Sequence, residues 1–198
     1  MSIYLHTLYS RIRQIFTASK TEQGPWSGRV FRCVRPQFAS AGHLLSGQGA
    51  FVAGGRWNPP GQFRVNYCSL SPGTAAEEAY RLFESKGLPR AIVGNRVIAT
   101  IHYKLQAVWD FSCIPEGLIG EIICEALEEE WENVNARGYE TPGQCLGRAA
   151  YDLNAEGFLV PSARVPSGVN LVVFPEALHK GSSAVPEDPE ELNRLNIE

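Results

Sequence analysis

The sequence predicts a mixed α+β domain, on three observations. Segments with helical apolar spacing and short β-rich runs alternate irregularly along the chain, with the strand-rich part near its centre. At 198 residues the chain suits one domain, able to bury roughly 70% of the surface its unfolded form exposes. Its composition is globular, 44% hydrophobic and 20% charged, with 19 glycines and 13 prolines to make turns.

The elements are read in order. Residues 2–18 form an amphipathic helix with Leu5, Leu8, Ile12, Ile15 and Phe16 on one stripe. A polar loop fills 19–27, and a strand follows at 28–34. Residues 36–63 are rich in Gly, Ser and Pro and predict little regular structure; so long a loop in a compact domain is usually functional. A strand at 64–70, RVNYCSL, turns Tyr67 to the same face as Val65 and Ser69. A helix spans 75–86 and a long β-rich run spans 96–107. Residues 117–134 predict an acidic helix with Ile119, Ile122, Ile123, Ala126 and Leu127 inward and its glutamates solvated. The helix at 142–154 has Thr141 as N-cap, Pro142 at its first position and Gly157 just past its end. Short strands at 157–160 and 169–174 complete the pattern. The organisation is thus an N-terminal helix and loop over 1–27 packed on the domain, the domain proper over 28–180, and a polar acidic tail over 181–198.

Charge and motifs exclude several functions. A net charge of -3 and a pI of about 5.9 argue against nucleic-acid binding, which usually needs a basic face. They leave room for an anionic small molecule, because a few arginines in a cleft set a local field. The 5 cysteines are scattered and never spaced C-x-x-C, so they read as free thiols in a reducing cytosol. The 4 histidines show no ligand spacing, and no metal site is expected. No apolar run is long enough to cross a membrane, and Arg11 and Arg13 interrupt the N-terminal apolar positions, unlike a signal peptide. A soluble cytoplasmic protein is expected. Dinucleotide-binding G-x-G-x-x-G, phosphate-binding and serine-hydrolase motifs are absent.

One stretch stands out. In GGRWNPPG, residues 54–61, glycines and prolines bracket Arg56, Trp57 and Asn58, and both residue types fix a bend. Trp57 reads as a core anchor and Asn58 as the residue that fixes the turn before Pro59. Helix geometry then separates the glutamates of GTAAEEAYRLFESK, residues 73–86. Ala75, Ala76, Ala79, Leu82 and Phe83 share one face, at 100° per residue. Glu84 lies opposite. Glu77 follows Thr74 by three residues and predicts a capping box, a structural role. Glu78 sits at the edge of the apolar face, where a half-buried carboxylate is costly unless paired or used. A rigid loop, a strand and a helix start thus present Arg56, Tyr67 and Glu78 in succession.

At these residues the chain resembles the RES domain family, named for its Arg, Glu and Ser. The matching segments are VFRCVRP at 30–36, GQGAFVAGGRWNPPG at 47–61, VNYCSLSPGTAAEEA at 65–79 and VPSARVPSGVNLVVFPE at 160–176, in the family's order. The resemblance implies a fold similar to that of ADP-ribosyltransferases of the diphtheria-toxin kind, with central split β-sheets and surrounding helices. It implies the toxin of a bacterial toxin–antitoxin pair, neutralised by a partner of the Xre type. It also implies an enzyme that degrades NAD by hydrolysis or phosphorolysis, with NAD as substrate and no cofactor required. By position the family's arginines fall on Arg32 and Arg56, its tyrosine on Tyr67, its glutamate on Glu78 and its serine on Ser162. Asn170 matches a recurrent asparagine. No DNA-binding segment is appended, so the antitoxin is expected to be a separate chain. Transfer of ADP-ribose to a protein and a non-catalytic NAD-binding module stay as alternatives, and self-association is left open.

The chemistry suits those residue types. Nicotinamide leaves NAD neutral, so the demand falls on the ribose, which becomes oxocarbenium-like. A carboxylate such as Glu78 stabilises that charge as it develops and can activate the incoming water or phosphate. Planar guanidiniums on Arg32 and Arg56 fit a pyrophosphate, although structural salt bridges explain them too. Tyr67 offers a flat face to nicotinamide or simply packs in the core. Ser162 and Asn170 could hydrogen-bond the substrate, and a turn after Pro161 accounts for the serine equally well.

Overall fold

The strand β3 (Val97–Asp110) alternates strictly in its middle. Ile101, Tyr103 and Leu105 are buried, whereas His102, Lys104 and Gln106 are exposed, as a pleated strand with one covered face requires. In this computed structural model, which describes residues 3–18, 23–84, 87–90 and 94–187, β3 organises the sheet. Along one edge it pairs antiparallel with β1 (Gly24–Val34), which has an irregularity between Gly24 and Trp26. Its other edge carries two partners. β6 (Ser183–Pro186) pairs antiparallel with residues 101–104, and β4 (Gly157–Pro161) pairs parallel with residues 108–110. β4 pairs with β5 (Val169–Val173), β5 with β2 (Asn66–Ser69), and β2 returns to β1 through the single pair Phe31↔Ser69.

These pairings close a ring of β1, β2, β5, β4 and β3, with β6 outside it. The resemblance predicts split sheets. The structure has instead one hydrogen-bonded sheet whose halves, β6–β3–β1 and β4–β5–β2, meet at two short seams. β3 is long enough to serve both halves, which is why they do not separate.

Because β2, β4 and β5 are covered on both faces, they read as apolar runs, and their alternation divides the core in two. Leu159, Leu171 and Val173 point into a cluster with Val30, Ile101 and Tyr103. Phe158, Val160 and Val172 point to the opposite face. There they meet α5 (Leu118–Glu128) and α7 (Pro142–Asp152) through Ile122, Ile123, Leu146 and Ala149. Helix α1 (Tyr9–Ala18) closes this cluster with Ile12 and Phe16. No helix among the described residues is long and apolar enough to cross a membrane.

Several predicted elements are revised. The N-terminal helix begins at Tyr9, because Tyr4 bridges to Tyr139 and His6 N–H donates to Glu140 Oε2 at 2.6 Å; Leu5 is exposed. β1 starts four residues before Gly28, inside the expected loop. The region 36–63 holds short helices, among them α2 (Ala41–Leu45) and α3 (Gln48–Ala53). The predicted helix at 117–134 is broken at Glu129, and α6 (Trp131–Ala136) follows. Three successive glutamates, Glu128 to Glu130, end α5, where the helix dipole disfavours negative charge. Thr141 caps α7 as expected, and Gln144 completes a capping box with it, whereas Gly157 lies within β4. β6 occupies the start of the predicted tail. Residues 188–198 of that tail, and residues 85–86 at the end of the predicted 75–86 helix, lie outside the described residues.

Candidate functional site

The loop after α3 is fastened at every corner. Gly54 ends α3 at φ 75°, and Gly61 turns at φ 77° with its N–H on the Phe51 carbonyl at 2.7 Å. Between them Gly55 and Asn58 bridge to each other, with N–H···O distances of 2.8 and 3.3 Å. Asn58 is fully buried and donates to the Ala50 carbonyl at 2.8 Å. Gln144 of α7, also fully buried, donates to the Gly55 carbonyl at 2.8 Å. α7 approaches so closely that a Cβ on Gly147 would lie 1.9 Å from the Trp57 carbonyl oxygen. Trp57 enters the core edge-on to Phe158.

Tyr67 completes the fastening from β2. Its hydroxyl accepts the Trp57 N–H at 3.0 Å and donates to Asn58 Oδ1 at 2.8 Å. Gly55 is needed here, since a Cβ would lie 2.4 Å from the Tyr67 oxygen. Burial pushes the phenol pKa upward, so the hydroxyl keeps the proton that it donates. With the oxygen committed to the loop, Tyr67 offers the cleft a ring rather than a hydroxyl.

The loop leaves Arg56 at its turn. The Arg56 Nη1 donates to the Glu129 carbonyl at 3.2 Å, at the break between α5 and α6. Burial, and then the neighbouring Arg81, lower this guanidinium to about 10, while Glu78 acts in the opposite direction. Arg32 projects from β1. Its Nη1 donates to Asn66 Oδ1 at 3.0 Å and to the Leu44 carbonyl at the end of α2, a favourable place for a cation. Among the described residues neither Arg32 nor Arg56 forms an ion pair.

Glu78 sits on α4 (Pro72–Glu84), half-buried. Its Oε1 accepts from Ser162 Oγ at 2.6 Å and from Asn170 Nδ2 at 2.7 Å. Both donors are themselves oriented. Ser162 Oγ accepts the N–H groups of Arg164 and Val165, and Asn170 Oδ1 accepts from Ser69 Oγ at 2.7 Å. Glu78 Oε2 has no hydrogen bond among the described residues, which leaves one oxygen free for chemistry. Glu77 does not cap α4. Ser71 does so, its Oγ accepting the Thr74 N–H at 3.1 Å, and Glu77 instead accepts from Arg90 Nη1 and Nη2 at 2.8 and 2.6 Å.

Arg32, Arg56, Tyr67, Glu78 and Asn170 all line one cleft of about 380 Å³; Ser162 reaches it through Glu78. Sequence reasoning overlooked three further lining residues, Arg81, Trp131 and Glu132. Arg81 was findable, because it follows Glu78 by three residues on one helix and so shares its face. Trp131 and Glu132 were not, because the helix break that brings them to the cleft is set by tertiary contacts.

The model of the RES domain matches residues 29–194. No curated protein matches the chain. Among solved structures the chain is similar to one in the crystal structure of the M. tuberculosis MbcT–MbcA toxin–antitoxin complex. The TM-score is 0.65 at 25% identity, over 95% of this chain and 96% of that one. Arg32, Arg56, Tyr67, Glu78 and Asn170 of the cleft come from the segments that carry the resemblance, and the family match extends across nearly all of the ring. The chain belongs to the RES domain family.

Proposed function

We propose that this protein is the toxin of a toxin–antitoxin pair and that its cleft binds NAD and cleaves the nicotinamide N-glycosidic bond. The likeness to a chain of the MbcT–MbcA complex supports the toxin role and a separately encoded antitoxin; that the antitoxin is of the Xre type rests on the family resemblance alone. We read the fold as a variant of the diphtheria-toxin-like ADP-ribosyltransferase architecture. One observation carries the chemistry. A half-buried carboxylate, Glu78, is oriented by Ser162 and Asn170 in the same cleft as two guanidiniums that form no ion pair among the described residues.

Partly buried arginines that form no ion pair among the described residues call for an anionic ligand, and the fork geometry of Arg32 and Arg56 suits a pyrophosphate. With the phosphates held there, the ribose is delivered toward Glu78 and the nicotinamide toward the Tyr67 ring. The C1'–N bond breaks and its electron pair leaves with neutral nicotinamide. Glu78 stabilises the positive ribose through its free oxygen. An oxygen of water or phosphate then bonds to C1', and a water nucleophile gives up its proton to Glu78 or solvent. Ser162 and Asn170 act here through Glu78, as residues that position it. The scheme needs no cofactor, with NAD as the substrate.

The test is to incubate the purified protein with NAD and measure free nicotinamide with and without inorganic phosphate. Release dependent on phosphate identifies phosphorolysis, and release without it identifies hydrolysis. If neither condition releases nicotinamide, the reading fails. Label from NAD left on a macromolecule would point to ADP-ribosyl transfer.

A further inference from the structure

We propose that Arg81 is a third anion-binding group of the cleft, paired with Glu132 and handed to a phosphate oxygen when ligand binds. This rests on the reading of the cleft as a dinucleotide site. Arg81 and Glu78 share a face of α4, one turn apart, and both line the cleft. The Arg81 guanidinium donates to both Glu132 oxygens, at 3.2 and 3.4 Å. Strong charge-assisted contacts are shorter, roughly 2.7–2.9 Å.

The same chain shows what a structural pair looks like. Arg148 holds Glu140 at 2.7 and 2.8 Å, with side-chain exposures of 10% and 0%. The Arg81–Glu132 side chains are 17% and 32% exposed. A pair that long and that wet holds its members weakly. Arg81 is also near enough to Arg56 to oppose its charge. Around the cleft the guanidiniums of Arg32, Arg56 and Arg81 face the carboxylates of Glu78 and Glu132, three against two. Glu132 pairs with Arg81 and also favours the charged form of Arg56, but burial and Arg81 still lower Arg56 on balance. A pyrophosphate placed between Arg56 and Arg81 adds more negative charge there, and its bidentate oxygens compete with Glu132 directly.

A brace between α4 and α6 and an exchangeable ligand arm predict opposite results for two substitutions. The probe is inorganic pyrophosphate, titrated by calorimetry against the whole chain, with nicotinamide release from NAD measured in parallel. Arg81→Gln should weaken pyrophosphate binding about tenfold, the worth of one charge-assisted contact. Glu132→Gln should tighten it about two- to fivefold, because a partly exposed pair no longer competes. Arg81→Lys should fall between wild type and Arg81→Gln, which separates lost charge from lost folding. KM for NAD should move in the same directions with kcat little changed. If both Arg81→Gln and Glu132→Gln weaken binding, the pair is a brace and the proposal is overturned. It is equally overturned if neither changes the affinity, or if the wild type binds no pyrophosphate. Opposite shifts in pyrophosphate affinity, found in a protein that releases no nicotinamide, would uphold Arg81 and reject NAD cleavage instead.

Discussion

Tyr67→Phe separates two roles of one side chain, because it keeps the ring and removes only the hydroxyl. That oxygen serves two groups of the 54–61 loop, the Trp57 N–H and Asn58 Oδ1. Trp57 is 3% exposed and Asn58 is 0% exposed, so water does not readily replace the phenol. Each buried polar group left without a partner costs about 1–3 kcal/mol. Two of them put the loss near 3 kcal/mol, since the small void relaxes part of the penalty. For a domain of this size that corresponds to a fall in Tm of roughly 6–12 °C. Urea denaturation at neutral pH and a thermal melt both read it. Nicotinamide release should also fall, by about 10–100-fold, as the loop no longer holds Arg56 at fixed reach of the cleft. A variant within about 0.5 kcal/mol of wild type would refute the claim that the hydroxyl fastens the loop. A variant that melts early yet turns over NAD normally would show that loop rigidity does not serve Arg56.

Glu78→Gln should abolish nicotinamide release with little change in melting, whereas Glu77→Gln loses only an exposed contact to Arg90 and should retain both; equal rates in the two variants would reject the assignment. Gly147→Ala would place a Cβ 1.9 Å from the Trp57 carbonyl oxygen and force α7 off the loop, at a cost of about 1–3 kcal/mol; a wild-type melting curve would contradict that packing. Burial pushes the Cys68 thiol up to about 11 and the Cys145 thiol up to about 12, while Cys113 and Cys124 are exposed. Brief iodoacetamide treatment at pH 7 should therefore mark Cys113 and Cys124 and spare Cys68 and Cys145, as peptide mass spectrometry will report; modification of Cys145 in the native protein would contradict the α1–α7 packing.

What was legible in the chain follows the range of the forces involved. The α7 start was readable because Thr141 and Pro142 act locally, and the structure adds Gln144 as the second half of a capping box. The inward faces of α5 and β2 were readable because periodicity is local. The break at Glu129 was not, since it is fixed by charge crowding and by an arginine 73 residues away in sequence. Tyr4 escaped the helix for the same reason, drawn into pairing with Gly138 and Glu140. The closure of the strands into a ring also lies beyond local pattern. β1 and β3 pair over ten residues of each, and no short-range signal records which edge of β3 receives β4 or β6.

The two adjacent glutamates show the limit most sharply. Helical phase separated Glu77 from Glu78, and the structure agrees that only Glu78 reaches the cleft. Glu77 does not take the capping role that its spacing from Thr74 predicts, because Ser71 already caps the first turn. Glu77 therefore went to Arg90, on a segment whose approach the sequence did not reveal. The stiff loop shows the reverse. Its glycines and prolines announced rigidity, but they fix only the backbone path. Its attachment comes from a tyrosine hydroxyl on β2 and an amide on α7, and these two long-range contacts hold Arg56 beside Glu78. A chain with the same loop and a phenylalanine at residue 67 would keep the motif and lose the aim.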